Sequence, residues 1–300
     1  MPRLGVLGWP VAHSRSPAMH NAALQALHMD DWRYQRLPVP PERFAETVRA
    51  LAPAGFAGAN VTIPHKRAAL ALAEEASDGA SAIGAANTLS FGLGGSIAAE
   101  NTDAPGFLAA LEVSPRGMSA LVLGAGGAAR AVVWALREAG ARDVSVWNRT
   151  PARAAALARE LGVRAASRPQ PADLLVNCTS VGLRSARDRL ESRGEDLQRS
   201  ANEAEELNLL GLTFDQVGEY PHVADLVYSS APTALLAAAR AHGARTVDGL
   251  QILLAQGALS FELWTGVSPP LDVMRRALRD SSQDGETGPG RVAGEQDRHG

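Results

Sequence analysis

The sequence predicts an α/β protein of two domains, one of them an open, mostly parallel sheet and the other a doubly wound sheet of the Rossmann type. Three observations predict it: a length of 300 residues, strand and helix patterns that alternate along the chain, and a glycine-rich turn between a strand and a helix. With 46% hydrophobic and 20% charged residues, the composition is that of a globular protein.

The first third of the chain alternates short apolar runs with helical patterns. Residues 4–7 predict a strand that ends at Gly8, and Ser16 as N-cap with Pro17 at the first helical position predicts a helix. The elements that follow are a strand at 32–37, a helix at 41–51 and a strand at 59–63. Such alternation indicates a mostly parallel sheet.

The middle of the chain has the strongest pattern. Residues 119–123 form an apolar strand that leads into Gly-Ala-Gly-Gly-Ala-Ala-Arg-Ala, and a helix at 127–139 stops at Gly140. A strand at 144–147 and a helix that ends before Gly162 follow. A glycine motif in this strand–turn–helix context is typical of a dinucleotide site.

The last part repeats the alternation around a charged segment. The predicted strands lie at 173–177 and 223–228, and the predicted helices at 232–242 and 250–264. The Arg- and Glu-rich segment at about 183–212 is typical of a solvated insertion, and the glycine-rich, polar tail at 281–300 is expected to be disordered.

Charge and cysteine content exclude several classes of protein. A net charge of −3 offers no basic field for nucleic acid, and the single Cys178 excludes an internal disulfide and a multi-cysteine zinc site. We predict no bound metal. No apolar run is long enough for a membrane helix and no signal peptide pattern opens the chain, so we expect a cytoplasmic protein.

Lysine use singles out one position. Among 29 basic residues Lys66 is the sole lysine, and every other cation is arginine. An arginine cannot give up its proton at accessible pH, whereas a lysine amine can. Lys66 is therefore a candidate for proton transfer, although composition alone leaves chance survival open.

The glycine motif and the end of the next strand predict the cofactor. Gly124 to Ala128 should hold a pyrophosphate at the start of the helix. An NAD enzyme usually places an acidic residue at the end of the second strand, but here the sequence is Asn148-Arg149-Thr150, followed by Arg153. Guanidinium groups pair with a 2′-phosphate, which favours NADP; the alternative is surface arginines without a ligand.

Three polar segments lie beside apolar ones. Residues 60–66 read Asn-Val-Thr-Ile-Pro-His-Lys, and Asn-Thr pairs occur at 87–88 and 101–102. Side-chain alternation places Asn60 and Thr62 on one face of a strand. Taken singly, the Asn-Thr pairs could be turns and residues 13–17 a helix cap.

Eight motifs in order resemble the shikimate dehydrogenase family from about residue 5 to residue 278, except in the charged insertion. They are GWPVAHSRSP from Gly8, NVTIPHK from Asn60, GAANTL from Gly84, ENTDAPGF from Glu100, GAGGAARA from Gly124, NRT from Asn148, NCTSVG from Asn177 and DGLQILLAQGALSFELWTG from Asp248. One difference is Ser230, where the family usually has proline.

The resemblance implies a role for each site residue. Lys66 and Asp103 would be the catalytic pair, and Ser14, Ser16 and Tyr228 would lie at the substrate carboxylate. The substrate hydroxyl groups would be bound by Thr62, Asn87, Asp103 and Gln256. The cofactor residues would be Gly124, Ala125, Gly126, Gly127, Ala128, Asn148, Arg149, Thr150 and Arg153, with Leu226 and Gly249 close to the nicotinamide.

The resemblance also implies a domain plan and an activity. A substrate domain would comprise residues 1–103 and 248–280, and an NADP domain residues 104–247. The activity would be reversible NADPH-dependent reduction of 3-dehydroshikimate to shikimate, in aromatic amino acid biosynthesis. The partner would be a small-molecule substrate, with neither nucleic acid nor membrane, and the chain would be a monomer or homodimer.

Several alternatives stay open. Quinate or quinate/shikimate dehydrogenases use NAD and a substrate with one more hydroxyl group, and a non-catalytic dinucleotide-binding sensor belongs to a different class. His13 and His65 flank the predicted site and are rival acid–base groups. Cys178 at a strand end is expected to be a small buried apolar residue.

Overall fold

Two β-sheets organise the chain in the computed structural model, which describes residues 1–183, 196–229 and 231–281. Within those residues the first sheet has six strands in the order β2-β1-β3-β5-β6-β4. The strands are β1 (Arg3–Gly8), β2 (Arg33–Pro38), β3 (Phe56–Val61), β4 (Glu75–Ala76), β5 (Thr88–Phe91) and β6 (Ile97–Glu100). Its helices are α1 (Ser16–Ala26), α2 (Phe44–Leu51), α3 (Lys66–Leu72), α4 (Asp78–Ile83) and α5 (Asp103–Ala110), and 3₁₀ turns lie at Pro41–Arg43 and Leu93–Gly95.

The described residues also form a second six-stranded sheet, in the order β12-β11-β10-β7-β8-β9, with every pairing parallel. Its strands are β7 (Ser119–Leu123), β8 (Asp143–Trp147), β9 (Arg164–Ala165), β10 (Leu174–Asn177), β11 (His222–Asp225) and β12 (Arg245–Val247). Its helices are α6 (Gly127–Glu138), α7 (Pro151–Leu161), α8 (Asp196–Leu209), α9 (Phe214–Val217) and α10 (Ala234–Ala241).

The last two helices return to the first sheet. These are α11 (Gly249–Thr265) and α12 (Leu271–Asp280), and they pack against α1, while α11 also packs against α5. Gly106 of α5 makes this crossing close, because a Cβ atom there would lie 2.6 Å from the Gln256 backbone nitrogen. The helix crossing therefore brings residues near position 256 beside the start of α5.

The predicted α/β class with mostly parallel sheets is confirmed, with one difference in the first sheet. β5 pairs antiparallel with both β3 and β6, with Thr88 opposite Glu100. The Asn87-Thr88 pair is a turn candidate by sequence, whereas in the structure Thr88 begins a strand. A short turn closed by the Gly92 N–H donating to the Ser96 carbonyl links β5 and β6, and this makes the antiparallel pairing possible.

Two predicted boundaries are wrong for identifiable reasons. Ser16 is not the N-cap of α1: Arg15 is, and the Ser16 N–H donates to the Ser14 hydroxyl at 3.3 Å, so the helix starts one residue earlier. The strand predicted at 223–228 ends at Asp225, because the Asp225 carboxylate accepts a hydrogen bond from the Val227 N–H at 3.0 Å and turns the chain.

The charged segment is only partly solvated. Residues 184–195 lie outside the described residues, but α8 follows them, and Leu207, Leu210 and Leu212 are buried in a core cluster with Leu121 and Leu123 of β7. This end of the predicted insertion therefore covers one face of the second sheet. Ser230 and the predicted tail beyond Ser281 also lie outside the described residues.

None of the helices in the described part of the chain is both long and apolar enough to cross a membrane.

Candidate active site

An ion pair joins the starts of α3 and α5. Lys66 Nζ donates to Asp103 Oδ2 at 2.5 Å, and the two side chains are 12% and 15% exposed. Lys66 is the first residue of α3 and Asp103 the first of α5, and β3 and β6 end a few residues before them, so both partners stand at helix starts near strand ends. A mostly buried ammonium next to a carboxylate can hold and donate a proton to a bound substrate oxygen.

Asn87 and Gln256 extend this pair. The Asn87 side-chain amide lies 2.9 Å from Asp103 Oδ1 and 3.2 Å from Gln256 Oε1, and it can donate to both. Both amides are buried, at 2% and 8% exposure. The structure thus brings four predicted site residues, Lys66, Asp103, Asn87 and Gln256, into one hydrogen-bonded cluster.

A buried polar network, which the sequence did not predict, lies behind this cluster. The Tyr34 hydroxyl donates to Asn60 Oδ1 at 2.8 Å, and Asn60 Nδ2 donates to the Ser260 hydroxyl at 2.9 Å. Ser260 lies 3.0 Å from the Thr102 hydroxyl, which accepts from Asn87 Nδ2 at 2.9 Å. The signal in the sequence was Ser260, a polar residue one helical turn after Gln256 on a mostly apolar helix.

Ser14, Ser16 and Tyr228 meet at the other end of the network. Ser14 and Ser16 are buried, and Ser16 interacts with the Tyr34 side chain. Burial raises the pKa of Tyr228, although the Ser14 hydroxyl and the Arg15 charge oppose that shift. The Arg15 guanidinium lies 5.9 Å from the centre of the Tyr228 ring.

The Thr62 side chain is half-buried beside Gly8, at the carboxyl ends of β3 and β1. Its N–H donates to the Leu7 carbonyl at 2.8 Å, which fixes the backbone just before Lys66. Among the described residues, no hydrogen bond joins its hydroxyl to the Lys66 cluster, so its part in substrate binding stays a prediction.

A cleft of about 910 Å³ lies beside the ion pair. Its lining includes Lys66, the glycine turn from Gly124 to Gly127, and Asn148, Arg149, Thr150 and Arg153. A Cβ atom on Gly126 would meet nothing within 4 Å, so there is open space above the turn, and Gly124 has φ +109°, which favours glycine. These features fit a dinucleotide whose pyrophosphate lies at the start of α6.

Gly127 connects the cleft to the ion pair. A Cβ atom on Gly127 would lie 2.8 Å from Lys66 Cβ, so the start of α6 touches the aliphatic part of the lysine. A cofactor held at the start of α6 would therefore lie next to Lys66.

Arg149 and Arg153 lie exposed at one end of the cleft. Neither guanidinium has a hydrogen-bonding or ion-pair partner among the residues that the structure describes. The Asn148 side chain donates to the Thr150 carbonyl at 3.0 Å and shapes the turn. Two exposed cations without a described partner, one in the turn after β8 and one in the first turn of α7, fit an anionic 2′-phosphate.

The remaining predicted cofactor residues lie near the cleft without lining it. Ala128 packs against the core on one face of the second sheet, as does Leu226. A Cβ atom on Gly249 would lie 2.7 Å from the Leu226 carbonyl oxygen, so these two residues are neighbours. Their contact with a nicotinamide stays a prediction.

His65, one of the two rival acid–base groups, is held by packing and by a contact with the backbone. His65 stacks on Phe44 at 4.3 Å between ring centres and lies 2.7 Å from the Val39 carbonyl, and burial lowers its pKa. Cys178 is buried, and burial raises the pKa of its thiol well above the usual value. His13 is exposed. Among the described residues no group of His, Cys, Asp and Glu could hold a metal ion.

Comparison with known proteins gives consistent matches along the chain. The model of the shikimate dehydrogenase substrate-binding domain matches residues 6–89, that of shikimate/quinate 5-dehydrogenase residues 108–179, and that of the shikimate 5′-dehydrogenase C-terminal domain residues 249–279. The shikimate dehydrogenase (NADP(+)) of Methylobacterium radiotolerans is 47% identical over 283 residues, covering 89% of this chain and 93% of the relative.

Two solved structures extend the comparison. Shikimate 5-dehydrogenase from Thermus thermophilus, in complex with NADP(H) and shikimate, has a TM-score of 0.78 and 42% identity, covering 94% of this chain and 100% of that one. The 5-ketofructose reductase of a Gluconobacter strain has a TM-score of 0.74 and 28% identity, covering 93% and 98%.

Two sheets beside a dinucleotide-sized cleft, with an ammonium–carboxylate pair at its wall, define the class as a dinucleotide-dependent oxidoreductase. Within that class, the chain belongs to the shikimate dehydrogenase family. The resemblance drawn from the eight sequence motifs is thereby confirmed.

Proposed function

We propose that this chain is an NADP-dependent shikimate dehydrogenase that reversibly reduces 3-dehydroshikimate to shikimate. The observation that carries the proposal is the ion pair of Lys66 and Asp103 at 2.5 Å, in contact with the start of α6. The pathway would be aromatic amino acid and chorismate biosynthesis, in the cytoplasm, with the chain acting as a monomer or homodimer.

The cofactor is NADP, and the chain offers it two sets of contacts. The backbone N–H groups at the start of α6 receive the pyrophosphate behind Gly124 and Gly126. Arg149 and Arg153 receive the 2′-phosphate, supported by the turn of Asn148 and Thr150. Residues 104–247 would form the cofactor domain, with residues 1–103 and 248–280 as the substrate domain.

The substrate would lie between the two ends of the buried polar network. Ser14, Ser16 and Tyr228 supply hydroxyl donors for its carboxylate. Thr62, Asn87, Asp103 and Gln256 receive its hydroxyl groups, and the contacts of Asn87 with Asp103 and Gln256 support this. A substrate bound in this way would have its ring carbonyl next to Lys66.

NADPH, when bound, supplies the hydride to the carbonyl carbon. The Lys66 ammonium group bonds the carbonyl oxygen and donates the proton that the developing alkoxide needs, a contribution of roughly 10² to 10⁴-fold. Asp103 Oδ2 accepts a hydrogen bond from the ammonium group and holds it in place. In the reverse direction the neutral amine takes the proton from the shikimate hydroxyl.

The test is a comparison of four rates: shikimate or quinate, each with NADP or NAD, followed by the absorbance of the reduced cofactor. We expect rate largely confined to shikimate with NADP. Comparable rates on quinate, or a preference for NAD, would contradict the proposal and favour the quinate enzymes. A folded protein that binds NADP without any turnover would favour the sensor.

A further inference from the structure

The Arg36 side chain holds the loop that carries Ser14. Arg36 lies on β2, and its Nε and Nη2 atoms donate to the Ser14 carbonyl oxygen at 3.0 and 2.7 Å. The register places the Arg36 backbone opposite Val6 of β1, so the side chain starts from a fixed point in the sheet. One guanidinium group thus fixes one main-chain carbonyl with two hydrogen bonds.

Each polar group of Ser14, in the backbone and the side chain, then has a partner. Its N–H donates to the Val11 carbonyl at 3.0 Å, its carbonyl accepts from Arg36, and its hydroxyl accepts from the Ser16 N–H at 3.3 Å. Of these three contacts, that of Arg36 alone comes from outside the loop. Arg36 therefore anchors the Ser14 carbonyl from β2, next to the serine hydroxyl groups of the loop.

Arg36 also contributes charge at this place. Its guanidinium and that of Arg15 both oppose the upward pKa shift that burial gives Tyr228, which means that both favour a negative charge there. The hydroxyl groups of Ser14, Ser16 and Tyr228 and the guanidinium groups of Arg15 and Arg36 thus lie on or beside the Ser14–Ser16 loop. Such a set is suited to a carboxylate, because charge-assisted hydrogen bonds to an anion are stronger than neutral ones.

We infer that Arg36 is a positioning residue for the substrate carboxylate, holding the Ser14–Ser16 loop and adding positive charge beside it. The inference rests on the proposed function, because it takes the serine hydroxyl groups as the carboxylate site. Arg36 lies outside the family motifs in this sequence and was not among the predicted site residues.

The test compares R36Q with R36K and R33Q, using shikimate and its methyl ester as substrates. We expect R36Q to raise KM for shikimate about tenfold, with kcat and the Kd for NADP within about twofold, because binding to the ground state and to the transition state is lost equally. R36K should recover part of the loss, since an ammonium keeps the charge but lacks the forked geometry.

R33Q is the matched control, because it removes the same charge from the same strand. Arg33 is exposed and lies three residues from Arg36, so its side chain is on the other face of the sheet. The methyl ester has no carboxylate charge, so its KM should change much less in R36Q than that of shikimate. Equal KM values for R36Q and wild type, an equal rise in R33Q, or an equal loss for acid and ester would each overturn the inference.

The test separates this inference from the proposed function. Wild-type protein that does not turn over shikimate contradicts the proposed function, whatever R36Q does. In that event, calorimetric titration of wild type and R36Q with shikimate still tests the role of Arg36. We expect shikimate to bind R36Q about tenfold more weakly than wild type. Equal affinity for the two proteins, or no detectable binding to either, would count against the inference.

Discussion

His20 is a fully buried residue of α1, and neither of its ring nitrogens has a hydrogen-bonding partner among the described residues. Its ring stacks on Tyr34 at 4.3 Å between centres and lies 6.1 Å from Phe261. Burial lowers its pKa from 6.5 to about 3, so the ring stays neutral in the folded protein. In the unfolded chain the same ring binds a proton below about pH 6.5.

This gives a prediction on stability. Because the folded-state pKa is depressed, the contribution of neutral His20 to the free energy of unfolding is fully present above pH 6.5 and is lost as pH falls towards 3. The whole loss is on the order of 5 kcal/mol. H20F keeps the stack and removes two unpartnered nitrogens. Between pH 7.5 and pH 5, we expect the free energy of unfolding, measured with urea, to fall by about 2 kcal/mol less in H20F than in the wild type. An identical loss in both proteins would contradict this account of His20.

At the residue scale, the sequence pointed to part of the site. Lys66 stood out because it is the sole lysine, and Arg149 because it follows Asn148, which stands where an acidic residue is expected. Asp103 and Gln256 were found by family resemblance and not by spacing. Tyr34 and Ser260 were missed, and Asn60 was noted without its buried contacts, since these roles depend on hydrogen bonds between elements up to 200 positions apart.

At the element scale, the positions of the site residues depend on how closely α5 and α11 cross. Strand and helix patterns predicted most elements, because period and end signals are local. They did not predict the antiparallel β5–β6 pairing or the crossing itself, which depend on contacts between distant segments. The sequence shows a glycine at position 106 but not why a larger side chain would not fit there. The reason is the backbone of Gln256, which belongs to another helix.

A substitution at Gly106 tests this crossing. In G106A the new methyl group would lie 2.6 to 2.7 Å from Gln256 backbone atoms, so α11 must move. We expect a loss of about 1–3 kcal/mol in unfolding free energy and a raised KM for shikimate, with NADP affinity unchanged. Denaturant unfolding and steady-state kinetics measure both.

Gly79 of α4 is the matched control, since a Cβ atom there would have no neighbour closer than 3.9 Å. G79A should leave KM unchanged and stabilise by about 0.5–1 kcal/mol, the gain in helix propensity. If G106A behaved like G79A, the close crossing would have no bearing on substrate binding.

At the scale of the whole molecule, the site is assembled from both ends and the middle of the chain. Lys66 and Asp103 come from helices beside the first sheet, Gln256 from a returning helix, and the glycine turn from the end of a strand of the second sheet. The contact of Gly127 with Lys66 joins the cofactor cleft to the proton donor. This contact follows from the way the two sheets lie beside each other. The alternating strand and helix pattern predicted the α/β class but not this arrangement in space.

Proton transfer by Lys66 is the central claim, and K66R tests it most directly. Arginine keeps the positive charge but cannot release a proton at accessible pH. The measurement is kcat for shikimate oxidation in K66R, with folding checked by circular dichroism and NADP affinity by fluorescence titration. We predict a fall of about 10² to 10⁴-fold in kcat, the usual size of a general acid–base contribution, with fold and NADP affinity retained. A kcat close to that of the wild type would contradict the claim.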